Sequence, residues 1–379
     1  MNILHITTFL QGGAGRIIKD IAFYQKYKGD NVYILTSKTG ETGYCNYDEY
    51  INEFDKEGIP VFFSDSTFKR DIYLNLNVVN KLKNIIREKN IDIIHAHAAV
   101  PAMVSIIARS GLNGKYIPVI QTMHGWGTNK KPHHEKMDIT IMNSLDKVVT
   151  VSKSDEKLMI SKGINSLKLT TIYNGVEEKN INNIKDDEII KELKTKKREG
   201  YNIIGCIGTI CKRKNQQLLI NAIKCIKNKE KIFCAFIGEG DMLEDLQLEI
   251  EHYKLESNVK FYGYRSSASK YLKWFDFFVL PSLSEGFSIS ILEALKEMVP
   301  VICSNIGTFT EIIEDDITGF LFESNEVKSL KQVIIKTINK ENNDKIQWVV
   351  DNANKKYKRK FTFDIMMSQY NKIYNEEMR

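Results

Sequence analysis

Residues 276–295 read DFFVLPSLSEGFSISILEAL. An apolar, β-rich run at 277–280 delivers the chain to a short loop of small residues, where Gly286 permits a tight turn and Ser288 is placed to cap the helix that follows. Two carboxylates stand out in a stretch that is otherwise small or apolar. Glu285 falls in the loop before the helix, and Glu293 falls in its second turn, so the two acids flank the helix N-terminus.

The same strand–loop–helix unit recurs along the whole chain. A first series of strand-like runs is MNILHIT, NVYILTS, IPVFFSD, IDIIHAH, IPVIQTM, KVVTVS and LTTIYNG; a second is NIIGCIGT, KIFCAFIG, NVKFYGY, DFFVLPS, PVICSNIG and TGFLFES. Strand runs alternating with helical patterns are the mark of βαβ units and parallel sheets. The stretch EEKNINNIKDDEIIKELKTKKREG separates the two series, is polar and lacks strand character, and is therefore where a hinge belongs. The expectation is an α/β chain of two Rossmann-like domains facing each other across a cleft. The N-terminal domain covers 1–180 and the C-terminal domain 181–362, with a last helix at about 363–379 packing back on the first. A chain of 379 residues is long enough for two cores.

Composition excludes several classes. With 42% hydrophobic and 27% charged residues the chain is neither disordered nor fibrous. The start, MNILHITTFLQGG, has no basic n-region or cleavage site, and the run IIHAHAAVPAMVSIIA is too short and too interrupted to span a bilayer, so a cytoplasmic location is expected. Six cysteines contain no C-x-x-C pair, and Cys206 and Cys234 sit in apolar strand runs, as reduced core thiols do. A net charge of +6 is mild. No basic motif interleaved with aromatics points to nucleic acid, although the charge suits an anionic substrate or an anionic membrane surface. Lys81, Lys83, Arg87 and Lys89 lie on a helical stretch whose Val78, Leu82, Ile85 and Ile86 form the buried stripe. That pattern reads first as a solvated helix face and second as a peripheral membrane contact.

Ligands of open parallel sheets collect at the carboxyl ends of the strands. After the first strand, Gly12, Gly13 and Gly15 open a helix, an arrangement that brings backbone N–H groups to a phosphate but also serves packing. A nicotinamide enzyme is disfavoured on two counts. The third glycine of G-x-G-x-x-G would fall at Ile18, and the acid that grips the ribose is replaced by Ser37 and Lys38 after the second strand. In the second domain, the helix N-terminus at Gly286, Phe287 and Ser288 is a natural seat for a diphosphate. The flanking Glu285 and Glu293 suit hydroxyl groups on a sugar and a ribose.

These residues reach a known family. The chain resembles the family 4 glycosyltransferases, which have the GT-B fold. The resemblance runs from GGAGR through TVSKSDEKLM and TIYNGVE to FVLPSLSEGFSISILEALKEMVPVICSNIGTFTEII, and its centre is the pair E-x(7)-E between PS and LEA, seen with VPVI and TGF. It implies retaining transfer of a sugar from a nucleotide donor, a UDP-sugar first among the candidates, to a glycan, lipid-linked or protein acceptor in bacterial surface glycan synthesis. It further implies that Glu293 binds the ribose, that Glu285 contacts the donor sugar, and that backbone groups at Gly12, Gly13, Phe287 and Ser288 surround the diphosphate and sugar. His124, in QTMHGW, matches a histidine that approaches the transferred sugar, and Lys214, in GTICKRKNQQLL, matches a phosphate-binding lysine. Thr209 departs from the pattern, because many members carry arginine there; the second cation is either missing or supplied by Lys212 or Arg213.

The growing charge of a nucleoside diphosphate leaving group must be stabilised. A fold using D-x-D does this with a divalent metal, and no D-x-D occurs in this sequence, so a metal-independent mechanism carried by Lys214 and helix-end amides is expected, with no cofactor. His95 and His97 suggest a metal, but they end a buried strand with no evident third ligand and read as structural. The loop TNKKPHHEKMD, with Lys130, Lys131, His133 and His134, suits a phosphate-bearing acceptor and a solvated surface equally. Two other functions use the same features: a nucleotide-sugar epimerase, which has no second substrate, and a nucleotide-sugar sensor, which releases nothing.

Overall fold

The computed structural model describes residues 1–38, 46–64, 72–112, 114, 116–127, 130–177, 187–226 and 231–378. The chain divides into two compact units, one formed by Met1–Tyr173 with Met366–Arg379 and the other by Asn174–Ile365.

The first unit holds β1 (Asn2–Ile6), β2 (Asn31–Thr36), β3 (Val61–Phe63), β4 (Ile93–Ala96), β5 (Val119–Met123), β6 (Lys147–Thr150) and β7 (Leu169–Thr171). They form one parallel sheet in the order β3-β2-β1-β4-β5-β6-β7. The second unit holds β8 (Asn202–Ile207), β9 (Ile232–Ile237), β10 (Val259–Phe261), β11 (Phe277–Leu280), β12 (Val301–Ser304) and β13 (Phe320–Phe322). Its parallel sheet has the order β10-β9-β8-β11-β12-β13. Both series of strand runs read from the sequence are therefore strands, and both sheets have the doubly wound order in which the chain reverses direction beside its first strand. Ligand loops gather at that reversal, which lies between β1 and β4 in one unit and between β8 and β11 in the other.

Most strands are buried along their length and read as largely apolar runs rather than alternating ones, with His5, His95, Gln121 and Thr122 as buried polar exceptions in the first sheet. Every residue of β9 is buried, as is every residue of β11. The helix Ile72–Glu88 buries the stripe Val78, Leu82, Ile85 and Ile86 that its spacing predicts. Cys206, Cys234 and Cys303 are buried free thiols in the second sheet, and burial pushes the Cys206 thiol up to about 12. The charged stretch between the strand series is less plain than its composition. Asp187 caps a helix, Glu188–Arg198, by accepting from the Ile190 N–H, and Ile189, Ile190 and Leu193 make that helix's buried edge. Residues 178–186 of the same stretch lie outside the described residues.

The final helix, Phe363–Glu377, contributes Tyr370 and Tyr374 to the core of the first unit. Both are fully buried; the Tyr370 hydroxyl is 2.9 Å from Thr122 Oγ1 and the Tyr374 hydroxyl 2.7 Å from His95 Nδ1. Among the described residues, no helix is long and apolar enough to cross a membrane.

Candidate active site

In the second unit the loops that follow β8 and β11 are tied together at the sheet's reversal point. β8 runs into Gly208 at φ +151°, a conformation that side chains rarely adopt. A tight turn follows, in which the carbonyl of Cys211 accepts from the N–H groups of Lys214 and Asn215. Asn215, left-handed at φ +54°, then opens the helix Gln216–Lys224. The neighbouring loop after β9 presses on this one. A Cβ at Gly238 would lie 2.0 Å from the Gly208 carbonyl oxygen, and one at Gly240 2.1 Å from that of Ile210. Only glycine allows that approach, which fixes the path of residues 208–214.

The loop after β11 is bound to the same turn. Leu283 N–H donates to the Arg213 carbonyl at 2.8 Å, and Arg213 Nη1 donates to the Ser284 carbonyl at 2.8 Å. Two cations then converge on one carboxylate oxygen: Arg213 Nη1 and Lys214 Nζ each lie 2.6 Å from Glu285 Oε1. Burial acts to raise the Glu285 pKa, but the charges of Lys214 and then Arg213, with their hydrogen bonds, outweigh it and hold the carboxyl below its ordinary value. Lys212 stands exposed in the turn. The Thr209 carbonyl accepts from Gln216 Nε2 at 2.8 Å, so the residue at the family's arginine position helps to hold the turn.

Beyond Gly286 the chain enters the helix Ile289–Lys296 with Ser288 as its N-cap, accepting from Ile291 N–H. Phe287 is buried, its ring 5.5 Å from that of Phe361 and its carbonyl accepting from Asn174 Nδ2 at 3.1 Å. Glu293 is 7% exposed on this helix. The structure thus brings together Arg213, Lys214 and Glu285 and puts Ser288 and Glu293 on the capped helix just after them. The direct pairing of Glu285 with both cations is a contact that sequence reasoning missed.

In the first unit the glycines separate by role. Gly12, at φ +61°, starts the helix Gly12–Tyr27 and donates its N–H to Asn46 Oδ1 at 3.0 Å. Gly13 is exposed in the first turn. Gly15 is a packing glycine, since a Cβ there would lie 2.8 Å from the Leu10 carbonyl carbon and 3.2 Å from the Tyr50 ring.

His124, half-buried after β5, is held by a line of buried polar groups. Its Nε2 lies 3.1 Å from His97 Nδ1, His97 Nε2 lies 3.0 Å from His5 Nδ1, and His5 Nε2 lies 2.7 Å from Gln25 Oε1. Burial lowers His5 and His124 to about 4 and His97 well below its ordinary value, so all three rings are neutral near pH 7. The expectation that His95 and His97 lack a third partner needs correction. His5 faces His95 in strand register, and the three side chains offer nitrogens within 4.8 Å of one another. Every ring nitrogen of the three is already hydrogen-bonded, His95 to Tyr374 and Thr122, so a metal would have to displace those partners. His5 was legible as a neighbour only through the strand order, which sets β1 beside β4.

The stretch 128–138, expected as a loop, is largely helical: Thr128 and Asn129 lie outside the described residues, and Pro132, at the first helical position, opens the helix Pro132–Asn143, which carries His133 and His134 in its first turn. Lys130 is committed, 2.8 Å from the buried Asp138 carboxylate and 3.6 Å from the centroid of the Trp126 ring. The rings of His133 and His134 pack edge to face at 4.2 Å.

Two sequence models match the chain, Glycosyltransferase Family 4 over residues 11–180 and Glycosyl transferases group 1 over residues 187–356. The chain is 26% identical over 313 residues to the UDP-Gal:alpha-D-GlcNAc-diphosphoundecaprenol alpha-1,3-galactosyltransferase of Escherichia coli, covering 76% of this chain and 79% of that one. Among solved structures, a glycosyltransferase from Rickettsia africae superposes with a TM-score of 0.84 at 24% identity, over 100% of this chain and 98% of that one. Anabaena HepE in complex with UDP superposes with a TM-score of 0.82 at 21% identity, over 99% and 100%. With both of its units matched by these models and both sheets doubly wound, the chain belongs to the family 4 glycosyltransferases of the GT-B fold.

Proposed function

We propose that the protein is a retaining, metal-independent transferase that moves a sugar from a nucleoside diphosphate donor, a UDP-sugar, to an acceptor of a bacterial surface glycan. The observation that carries this reading is the convergence of Lys214 and Arg213 on Glu285 at the reversal point of the second sheet. Two preorganised cations at the carboxyl ends of parallel strands suit a diphosphate, and a preorganised charge is worth most where negative charge develops. Arg213 rather than Lys212 fills the role vacated at Thr209, because its guanidinium reaches the same carboxylate as Lys214 whereas Lys212 stands out in the turn.

On this reading the bond from the anomeric carbon to the diphosphate breaks while the acceptor hydroxyl bonds to the same face of that carbon. The departing phosphate oxygen takes the acceptor proton. Lys214 and Arg213 exchange Glu285 for the diphosphate, and Glu285, released on one side, contacts the transferred sugar. Glu293 binds the ribose, Gly286, Phe287 and Ser288 line the diphosphate with Gly12 and Gly13, and His124 approaches the sugar. The donor assignment draws on the UDP held by the Anabaena structure and on the UDP-Gal in the name of the Escherichia coli relative. That relative also acts on a diphosphoundecaprenol. A lipid-linked acceptor is in keeping with Tyr73, Leu74 and Leu76 exposed near the start of the helix that also carries Lys81 and Arg87.

The test is a thermal-shift screen of nucleotide sugars, followed by mass spectrometry and proton NMR of the products formed with candidate acceptors. Transfer with the donor's anomeric configuration kept is the expected result. Nucleotide-sugar turnover without any acceptor would favour an epimerase, binding without turnover would favour a sensor, and an inverted product would overturn the retaining mechanism.

A further inference from the structure

The line from Gln25 to His124 has a direction. An amide oxygen can only accept, so with the Gln25 amide turned to present Oε1 to His5 Nε2, the proton of His5 belongs on Nε2. A neutral imidazole has one N–H and one lone pair, so His5 Nδ1 accepts from His97 Nε2–H, and His97 Nδ1 in turn accepts from His124 Nε2–H. That leaves the Nδ1 of His124 without a proton. His95, in the same buried layer, stands outside the line, bonded to Thr122 and Tyr374. Apolar side chains would fill this layer without the cost of burying so many polar rings, so the line calls for a role other than packing.

We propose that Gln25, His5 and His97 are positioning residues that lock His124 in the Nε2–H tautomer, so that the nitrogen left for substrate is a hydrogen-bond acceptor. His124 then selects a donor sugar that offers a hydroxyl at that point and cannot stabilise one that offers only an acceptor. The selective role rests on the reading that His124 meets the transferred sugar; the tautomer lock does not depend on it.

The lock is tested by long-range 1H–15N correlation on the full chain labelled at its seven histidines, assigned by single substitutions. At pH 7 His5, His97 and His124 should each show a protonated Nε2 and a bare Nδ1. An Nδ1–H on any of the three overturns the lock, as does an unchanged His124 signal in Gln25→Leu or His97→Leu. The role is tested by kinetics. His97→Leu should lower kcat/KM for the UDP-sugar about tenfold, the scale of one hydrogen bond, with UDP affinity within about twofold of wild type. His97→Gln, whose amide can donate to His5 and accept from His124, should recover most of that loss. Equal losses in the two variants, or loss of UDP affinity in step with the rate, would mean a structural role only. A locked His124 combined with unaltered transfer in His97→Leu would overturn the assignment of His124 to the sugar and leave the lock standing.

Discussion

Replacing Glu285 by Gln should tighten the binding of UDP while slowing sugar transfer. In the free protein one oxygen of Glu285 holds both cations at 2.6 Å, so an incoming diphosphate must displace a carboxylate before it gains Lys214 and Arg213. The Lys214 side chain is 12% exposed and that of Glu285 11%, which puts their contact among sheltered charged hydrogen bonds, worth about 1.5–3 kcal/mol. Arg213, 41% exposed, adds at most about 1 kcal/mol. Most of this is regained when phosphate oxygens replace the carboxylate, so removing the competitor should improve UDP binding by about 1 kcal/mol, roughly fivefold. Glutamine keeps the volume and an acceptor oxygen, which limits disturbance of the loop. Isothermal titration of UDP into both proteins measures the effect, and the gain should shrink as salt screens the cations. Unchanged or weaker UDP binding by Glu285→Gln would refute the competition argument. Turnover of the full donor should fall at least about tenfold if Glu285 also contacts the sugar.

Glu293→Ala should weaken UDP by about 1.5–3 kcal/mol, the value of a charged hydrogen bond to a ribose hydroxyl; titration that returns the wild-type affinity removes the ribose assignment. Gly238→Ala should both destabilise the second unit and cut turnover, because its Cβ would meet the Gly208 carbonyl oxygen at 2.0 Å and must shift the loop carrying Lys214. Thermal melts showing no loss would contradict that packing. Acid should destabilise the first unit selectively. The folded His5 pKa of about 4 lies below its unfolded value of about 6.5, so the unfolded chain binds more protons as pH falls from about 6.5 toward 4. Stability present at neutral pH is lost across that window, by about 2 kcal/mol at pH 5 for this one imidazole. A flat stability profile between pH 7 and 4.5 would count against a buried neutral layer.

The fold was legible because strands of a buried parallel sheet are largely apolar runs; PVICSNIG, for instance, contains β12 at Val301–Ser304. Ser288 as an N-cap was equally plain, since a serine before an apolar helical stretch is a local signal. Less visible was the helix Glu188–Arg198, whose apolar residues Ile189, Ile190 and Leu193 are outnumbered by charges. The contacts that define the candidate site were not legible at all. Arg213 and Glu285 are 72 positions apart, and His5 and His97 are 92 apart. Each pair meets only because the first strand of its sheet lies beside the fourth, a property of strand order that no local pattern encodes.

The central claim is that the protein's own cations, Lys214 foremost, stabilise the departing diphosphate. Nucleotide release and transfer by the purified chain, with and without excess chelator, test it in a single assay alongside Lys214→Ala. Wild-type turnover should persist in chelator, and Lys214→Ala should lose on the order of a hundredfold in rate, the scale for removing one preorganised stabilising group. Wild-type activity abolished by chelator and restored by magnesium or manganese, with Lys214→Ala close to wild type, would contradict the account.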